Sequence, residues 1–185
     1  MATEEAAYRV LEQDGQFEIR EYAEHIVAET IVAEGFEKAG NTAFNRLFRY
    51  ISGDNASRQD IAMTAPVSQR ATGEKIAMTA PVGQRAADGD WAVSFMMPST
   101  YSMESLPVPS NPEIKIRRVP AHLAGAVRYS GFWSEDNYLE NKSRLEAWLD
   151  KKRLVKDGNA VWARYNAPFT PWFMRRNEIL IPLEK

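Results

Sequence analysis

Hydrophobic and polar residues alternate with a period of two over many short segments, which predicts a strand-rich chain. In residues 17–22, for example, Phe17 and Ile19 share one face. Asp14-Gly15 separates this segment from the one before it and is a typical two-residue hairpin signal. We predict strands at residues 7–11, 17–22, 25–33, 91–97, 114–119, 123–132, 160–165 and 178–183.

Two segments instead carry apolar residues at helical spacing. The first has Phe44, Leu47, Phe48 and Ile51, and we expect Asn41 to cap its start and Gly53 to end it. The second should begin after Ser134, because a serine followed by acidic residues is typical of a helix N-terminus. Its apolar stripe is formed by Leu145, Trp148 and Leu149.

A ten-residue phrase occurs twice, as IAMTAPVSQR at residues 61–70 and IAMTAPVGQR at residues 76–85. Solenoids need longer units in about three or more copies, so this is a local duplication. Each copy reads as an extended segment whose odd and even residues face opposite sides. Proline donates no ladder hydrogen bond, so Pro66 and Pro81 should mark strand edges or ends. The two copies could form an antiparallel hairpin closed by residues 68–75.

Residues 98–112 contain four prolines and four serines, a composition typical of an extended linker or rim loop. The order of strands and helix is similar on both sides of this segment. We therefore predict one domain over residues 1–185, built from two pseudo-repeats at about 7–98 and 113–184. The fold class is α+β: a distorted antiparallel β-barrel or saddle with two main helices. A groove between the halves could hold an apolar ligand.

Composition narrows the functional classes. The 185-residue chain has a formal net charge of -2 and scattered Lys and Arg, so we expect no nucleic-acid partner. It contains no cysteine, which excludes disulfides, thiolate metal sites and thiol nucleophiles. We see no signal peptide and no run of 18 apolar residues, and we therefore expect a cytoplasmic protein without a membrane span.

Three separated segments give the chain a family resemblance: FEIREY at residues 17–22, KIAMTAPV at 75–82, and YNAPFTPWFMRRNEI at 165–179. Together they resemble the SOUL heme-binding family over nearly the whole chain. The resemblance implies a pseudo-symmetric α+β barrel, related to the effector-binding domains of gyrase-inhibitor type. It also implies heme or another tetrapyrrole as the ligand. A histidine that ligates heme in at least one member is replaced here by Glu21.

The candidate ligand residues are flat, soft or cationic, as a tetrapyrrole would require. Aromatic rings stack on a macrocycle, methionine adds soft apolar surface, and arginine pairs with propionates. His25 and His122 are the available imidazoles, and each is more simply read as an exposed polar residue. The remaining candidates are Phe44, Phe48, Met63, Met78, Arg128, Phe132, Trp133, Phe169, Trp172, Phe173 and Arg175.

Three functions remain open at this point. The leading hypothesis is a carrier or buffer that holds heme or a related tetrapyrrole reversibly in an apolar groove, without strong iron ligation. A second is a binding module for other flat or cationic aromatic molecules. A third is an enzyme on the same scaffold, a hydrolase or dechelatase. Its candidate acids or bases are Glu18, Glu21 and Glu178, although the sequence assembles no catalytic site.

Overall fold

The computed structural model describes residues 3–58 and 73–184. Over these residues the chain forms two α-helices, eleven strands and one short 3-10 helix. In chain order the elements are β1 (Tyr8–Asp14), β2 (Phe17–Tyr22), β3 (His25–Val32), α1 (Phe36–Ile51), β4 (Asn55–Ala56), β5 (Val82–Ala87), β6 (Asp90–Met96), β7 (Val108–Pro109), β8 (Ile114–Val119), β9 (His122–Tyr129), α2 (Glu135–Lys151), β10 (Val161–Arg164), the 3-10 helix (Trp172–Met174) and β11 (Asn177–Leu183).

Nine strands form one antiparallel sheet in the order β1-β2-β9-β11-β10-β5-β6-β3-β8, and β4 pairs with β7 separately. The large sheet curls strongly into a half-barrel. Helix α1 packs on β3 and β6, whereas α2 packs on β9 and β11. The predicted α+β barrel or saddle with two main helices is therefore confirmed. The division into pseudo-repeats at 7–98 and 113–184 stays a prediction.

Two local signals in the sequence predict a hairpin and a helix start that the structure contains, although the hairpin turn lies one residue later than expected. Strand β1 ends at Asp14, which pairs with Phe17, so Gly15 and Gln16 form the turn to β2. Gly15 takes the left-handed conformation (φ 61°) that glycine favours at the first turn position. Ser134 caps α2, since its side-chain oxygen accepts a hydrogen bond from the Asn137 N–H at 3.4 Å.

The predicted start of the first helix is wrong. Helix α1 begins at Phe36 with Gly35 as its N-cap, so Asn41 lies inside the helix. Phe36 and Ala39 are both buried and extend the apolar stripe by more than one turn before Asn41. Gly35 has no side chain and therefore caps the helix without a side-chain hydrogen bond. A helix start is usually recognised in a sequence by a Ser, Thr, Asp or Asn residue at the capping position, and this signal is missing here.

The second copy of the duplicated phrase is only partly a strand. Strand β5 begins at Val82, after a cis Ala80-Pro81 bond. The predicted alternation fails at Met78, which is 40% exposed, and at Thr79, which is buried. The Thr79 hydroxyl donates to the Met96 carbonyl, and this contact turns Thr79 inward. The first copy, including Met63, and most of the predicted hairpin lie outside the described residues.

The core has two parts, each under one helix. Leu47 and Tyr50 of α1 belong to the first, and Leu145 and Leu149 of α2 belong to the second. The proline-rich segment contributes Leu106 to the first part, so it is not merely a linker. Within residues 3–58 and 73–184, neither helix is apolar over a length that would cross a bilayer.

Candidate functional site

A cavity of about 260 Å³ opens between α1 and the chain that follows β10, and we call it the Arg164 cavity. Phe44 projects from α1, and Met78 comes from the segment before β5. Trp133 lies in the connection between β9 and α2, Arg164 ends β10, and Pro168 follows it. Three predicted ligand residues, Phe44, Met78 and Trp133, thus meet around one cavity.

Arg164 has the most unusual environment in this cavity. Its Nε and Nη2 atoms are shielded from solvent and make no hydrogen bond within the described part of the chain. The guanidinium lies 4.7 Å from the ring centre of Trp162 and 5.4 Å from that of Trp133. Burial lowers the pKa of Arg164 to about 10, which leaves it charged at neutral pH. A buried charge without a partner is unfavourable, so this site favours an anion.

Gly40 of α1 leaves room for the Arg164 side chain. A Cβ atom at this position would lie 2.9 Å from Gln84 Oε1 and 3.3 Å from Arg164 Nη2. Gln84 donates through Nε2 to the Phe36 carbonyl, whereas its Oε1 has no partner among the described residues. Helix α1 therefore approaches β5 and β10 closely where the unpaired polar atoms lie.

Four exposed aromatic side chains, Phe132, Phe169, Trp172 and Phe173, lie on the segments that flank the cavity-lining residues Trp133 and Pro168, and we call them the aromatic ridge. Phe132 stacks on Trp172 with a centroid distance of 5.1 Å, and Trp172 meets the edge of Phe173 at 5.6 Å. Phe169 is 89% exposed. Phe132 adjoins Trp133 in sequence and Phe169 adjoins Pro168, so two residues of the aromatic ridge are chain neighbours of residues that line the cavity.

Arg175 holds the loop of the aromatic ridge in place. Its Nε donates to the Thr170 carbonyl at 2.8 Å, and its Nη2 donates to the Pro168 carbonyl at 2.9 Å. The guanidinium also lies 4.3 Å from the ring centre of Trp133. Arg175 thus contacts the wall of the Arg164 cavity from outside, while its role as a ligand residue stays a prediction.

The structure places the other predicted residues farther from this cavity. Phe48 is 46% exposed and stacks on Phe44 with a centroid distance of 5.9 Å, next to the cavity wall. Arg128 lines a different, shallow cavity with Phe173 and Arg175. His25 and His122 line a third cavity of about 120 Å³ on the concave side of the sheet. Neither imidazole lines the Arg164 cavity.

The carboxylates that were candidates for acid–base chemistry are held in ion pairs. Glu178 is fully buried and binds Arg20 at 2.6 Å and Arg176 at 2.9 Å, and it accepts a hydrogen bond from the Tyr165 hydroxyl at 3.0 Å. Arg20 also binds Glu18 at 2.6 Å. Glu21 pairs with Arg9 on the exposed surface. The segments FEIREY and RRNEI are thus joined by a buried ion network, which gives them a structural role.

Sequence analysis missed Arg164. The available signal was its register with Trp162, because residues two apart on a strand share a face. Trp162 is buried, so an arginine on the same face of β10 also points toward the interior. A single arginine carries no motif, however, and the absence of a partner is visible only in three dimensions.

Comparison with known proteins agrees with this architecture. The profile of the family described as "SOUL heme-binding protein" matches residues 3–182. "Heme-binding protein 1" of Xenopus tropicalis is 26% identical over 173 residues, which cover 91% of this chain and 84% of that protein.

Two solved structures share the fold at low sequence identity. The EcmrR C-terminal domain has a TM-score of 0.61 at 14% identity, covering 92% of this chain and 98% of that one. A hydrolase from Listeria innocua has a TM-score of 0.56 at 12% identity and covers 94% of each chain. These two similarities concern the fold alone, whereas the profile match extends over almost the entire sequence. The chain therefore belongs to the SOUL family of heme-binding proteins.

Proposed function

We propose that this protein is a reversible carrier or buffer for heme or a related tetrapyrrole, and that Arg164 binds a carboxylate of the ligand. The observation that carries the proposal is the unpaired guanidinium in a cavity walled by Phe44, Met78 and Trp133. Propionate-bearing porphyrins combine a flat apolar body with carboxylates at one edge. The cavity and its cation complement both parts.

The size of the cavity supports reversible binding. At about 260 Å³ it lies slightly below the usual range of roughly 300–1,000 Å³ for pockets that enclose a ligand. A macrocycle would therefore insert only one edge, and the rest would remain accessible to solvent or to the aromatic ridge. Partial burial limits affinity and favours release, as a carrier requires. We also propose that the protein carries out this function in the cytoplasm.

Iron ligation by histidine is not part of the proposal. Both imidazoles lie in the other cavity, whose volume of about 120 Å³ is too small for a macrocycle. Heme and iron-free porphyrin should then bind with similar affinity, since the protein would recognise the ring and its carboxylates rather than the metal.

A second ligand class, flat or cationic aromatic molecules, is tested alongside the porphyrins. Arg164 argues against this class, because its uncompensated charge repels a cationic guest. An enzymatic role has less support, since Glu178 is fully occupied by Arg20, Arg176 and Tyr165.

The test is an absorbance titration with hemin, protoporphyrin IX and the dimethyl ester of each. We expect one-to-one binding of both free acids with a Kd below about 10 μM, equivalent to roughly 7 kcal/mol. The esters and the Arg164→Gln variant should bind about 10- to 100-fold more weakly, the usual effect of losing a hydrogen bond to a charged group. The control is Arg49→Gln, which removes an exposed arginine from α1.

Each outcome separates one part of the proposal from the rest. If none of the porphyrins binds, the tetrapyrrole function is wrong. If acids and esters bind equally and Arg164→Gln has no effect, the carboxylate contact is wrong while porphyrin binding stands. Loss of hemin binding in His25→Ala or His122→Ala, with protoporphyrin binding retained, would show that a histidine binds the heme iron. Tighter binding of an aromatic cation than of either porphyrin would favour the second ligand class.

A further inference from the structure

We propose that His25 and His122 together form a binding site for one divalent transition-metal ion such as Zn²⁺ or Cu²⁺. The two rings line the 120 Å³ cavity on the concave side of the sheet, which we call the histidine cavity. This proposal is independent of tetrapyrrole binding, because it uses a different cavity and different side chains.

The curl of the sheet brings the two residues together. His25 begins β3 and His122 begins β9, and four strands separate β3 from β9 in the sheet order. Their ring centroids are nevertheless only 6.3 Å apart. His122 is opposite Tyr22, the last residue of β2, and His25 is opposite Val119, the last residue of β8. Each imidazole therefore begins a strand and is opposite the last residue of the neighbouring strand.

Both rings make the same contact with their own backbone. His25 Nδ1 lies 3.0 Å from the Ala23 carbonyl, and His122 Nδ1 lies 2.9 Å from the Pro120 carbonyl. A carbonyl only accepts, so each Nδ1 carries the proton and each Nε2 keeps its lone pair. Histidine ligands of metal ions typically show this arrangement, in which the second nitrogen donates to a carbonyl or carboxylate and fixes the tautomer.

The rings are close enough to share an ion after a movement of the side chains. Zinc–nitrogen bonds are about 2.0–2.1 Å long and zinc is tetrahedral, so two nitrogens on one ion lie roughly 3.3 Å apart and their ring centres about 5 Å apart. The observed centroid separation of 6.3 Å must therefore shorten by about 1 Å when the ion binds. Tyr22 stacks on His122 at 5.4 Å and limits the movement of that ring.

The charges around the cavity determine what else the ion would bind. Arg85 and Arg117 also line it, and both pair with Glu29, at 3.0 and 2.8 Å. One net positive charge remains, which favours an anionic third ligand such as hydroxide or chloride.

The site has two protein ligands, because the described residues contain no cluster of three or more His, Cys, Asp or Glu side chains. Structural zinc sites have four protein ligands and catalytic sites usually have three. We therefore expect moderate affinity, with solvent or an anion completing the coordination. The ion would link the starts of β3 and β9 and hold the curled sheet closed at that point.

The test uses the full chain, freed of metal with a chelator, and binding of Zn²⁺ and Cu²⁺ followed by calorimetry. The sequence has two histidines and no cysteine, so an imidazole signal has no other source. We expect one ion per chain, and at least a tenfold loss of affinity in either His25→Gln or His122→Gln. Electron paramagnetic resonance of the wild-type Cu²⁺ complex should show two coordinated nitrogens, a result that needs no folded variant.

Three results would overturn the proposal. The first is absence of binding up to millimolar metal. The second is binding that neither variant changes, which would indicate surface carboxylates. The third is one coordinated nitrogen in the copper spectrum with stoichiometry halved in each variant, which would indicate two separate single-histidine sites. Thermal unfolding in the presence of chelator checks that each variant is folded.

Discussion

Arg20 of β2 and Glu178 of β11 form a doubly hydrogen-bonded ion pair, with nitrogen–oxygen distances of 2.6 and 3.2 Å. Both side chains are almost completely buried, at 2% and 0% exposure. Strand β9 lies between their strands in the sheet, so the pair crosses it. Arg176 and Tyr165 complete the contacts of Glu178. Two of the three segments that carry the family resemblance are thus joined by one charged contact in the interior.

Replacing Glu178 with glutamine should destabilise the fold strongly. The variant removes the counter-charge that Arg20 shares with Arg176 and leaves Arg20 with Glu18 alone. Breaking a buried ion pair on one side typically reduces the free energy of unfolding by about 3–5 kcal/mol. Urea unfolding measures this change. The control is Glu21→Gln, which breaks an exposed pair with Arg9 and should change stability by less than about 1 kcal/mol. Equal effects of both variants would contradict the structural role of Glu178.

The same carboxylate predicts an acid-dependent loss of stability. Burial raises the pKa of Glu178, but hydrogen bonds and charge from Arg20 and Arg176 lower it by more, so the pKa lies below its usual value. A lowered carboxyl pKa contributes stability that is complete above the unfolded pKa, about 4.3, and is lost as pH falls toward the folded pKa. The stability gap between wild type and Glu178→Gln should therefore narrow below about pH 4. A gap independent of pH would show that the variant acts through packing.

Arg164 should lower stability in the absence of ligand. Its buried nitrogens have no partner in the described chain, so replacing it with methionine removes an uncompensated charge and keeps the apolar stem. We expect Arg164→Met to raise the free energy of unfolding of the ligand-free protein by about 1–3 kcal/mol. The same variant should bind porphyrin acids more weakly. A thermal melt with and without protoporphyrin measures both effects, and a destabilised variant would show that Arg164 has a structural partner.

The sequence was sufficient where a short local signal determines the structure. The β1–β2 hairpin and the Ser134 cap depend on neighbours in the chain, and both are present, although the turn is at Gly15-Gln16 rather than at Asp14-Gly15. The start of α1 was wrong because Gly35 has no capping side chain to recognise. The prediction of a regular strand over residues 76–81 was wrong, because long-range contacts determine the conformation of this segment. Thr79 bonds Met96, and the Ile76 N–H donates to the Ile51 carbonyl.

The residues of the candidate site could likewise be predicted only in part. Phe44, Met78 and Trp133 could be proposed because aromatic and thioether side chains suit a tetrapyrrole, and the fold brings them to one cavity. Arg164 could not be proposed, since its importance comes from a missing partner rather than from its residue type. The proximity of His25 and His122 was equally invisible, because it depends on the curl of a nine-stranded sheet.

The exposure of Met78 in the structure changes the loss of stability that is expected when it is replaced with alanine. A core methionine replaced by alanine typically reduces stability by about 2–5 kcal/mol. Met78 is 40% exposed and lines the Arg164 cavity, so Met78→Ala should reduce stability by less than about 1 kcal/mol and weaken porphyrin binding. Met97→Ala is the control, since Met97 is 3% exposed and should show the full loss of stability without affecting the cavity directly. Chemical unfolding and a porphyrin titration on both variants give the comparison.

The single difference between the two copies of the duplicated phrase also has a physical consequence. Gly83 of β5 is the position at which the first copy has Ser68. A Cβ atom at Gly83 would lie 3.0 Å from Ser94 Oγ and 3.3 Å from Val161 Cγ1, which is closer than side chains normally approach. Gly83→Ser, which makes the copies identical, should therefore reduce the free energy of unfolding by about 1–3 kcal/mol through overpacking.

The matched control for this substitution is Gly35→Ser. Gly35 has open space around its Cβ position and caps α1 without a side-chain hydrogen bond, so serine there should be neutral or stabilise by a few tenths of a kcal/mol. Urea unfolding of the two variants separates the cost of crowding from the general effect of adding a hydroxymethyl group. A Gly83→Ser protein as stable as wild type would show that Ser94 and Val161 move aside easily. The serine of the first copy would then be compatible with the β5 position, and crowding would not explain why the copies differ.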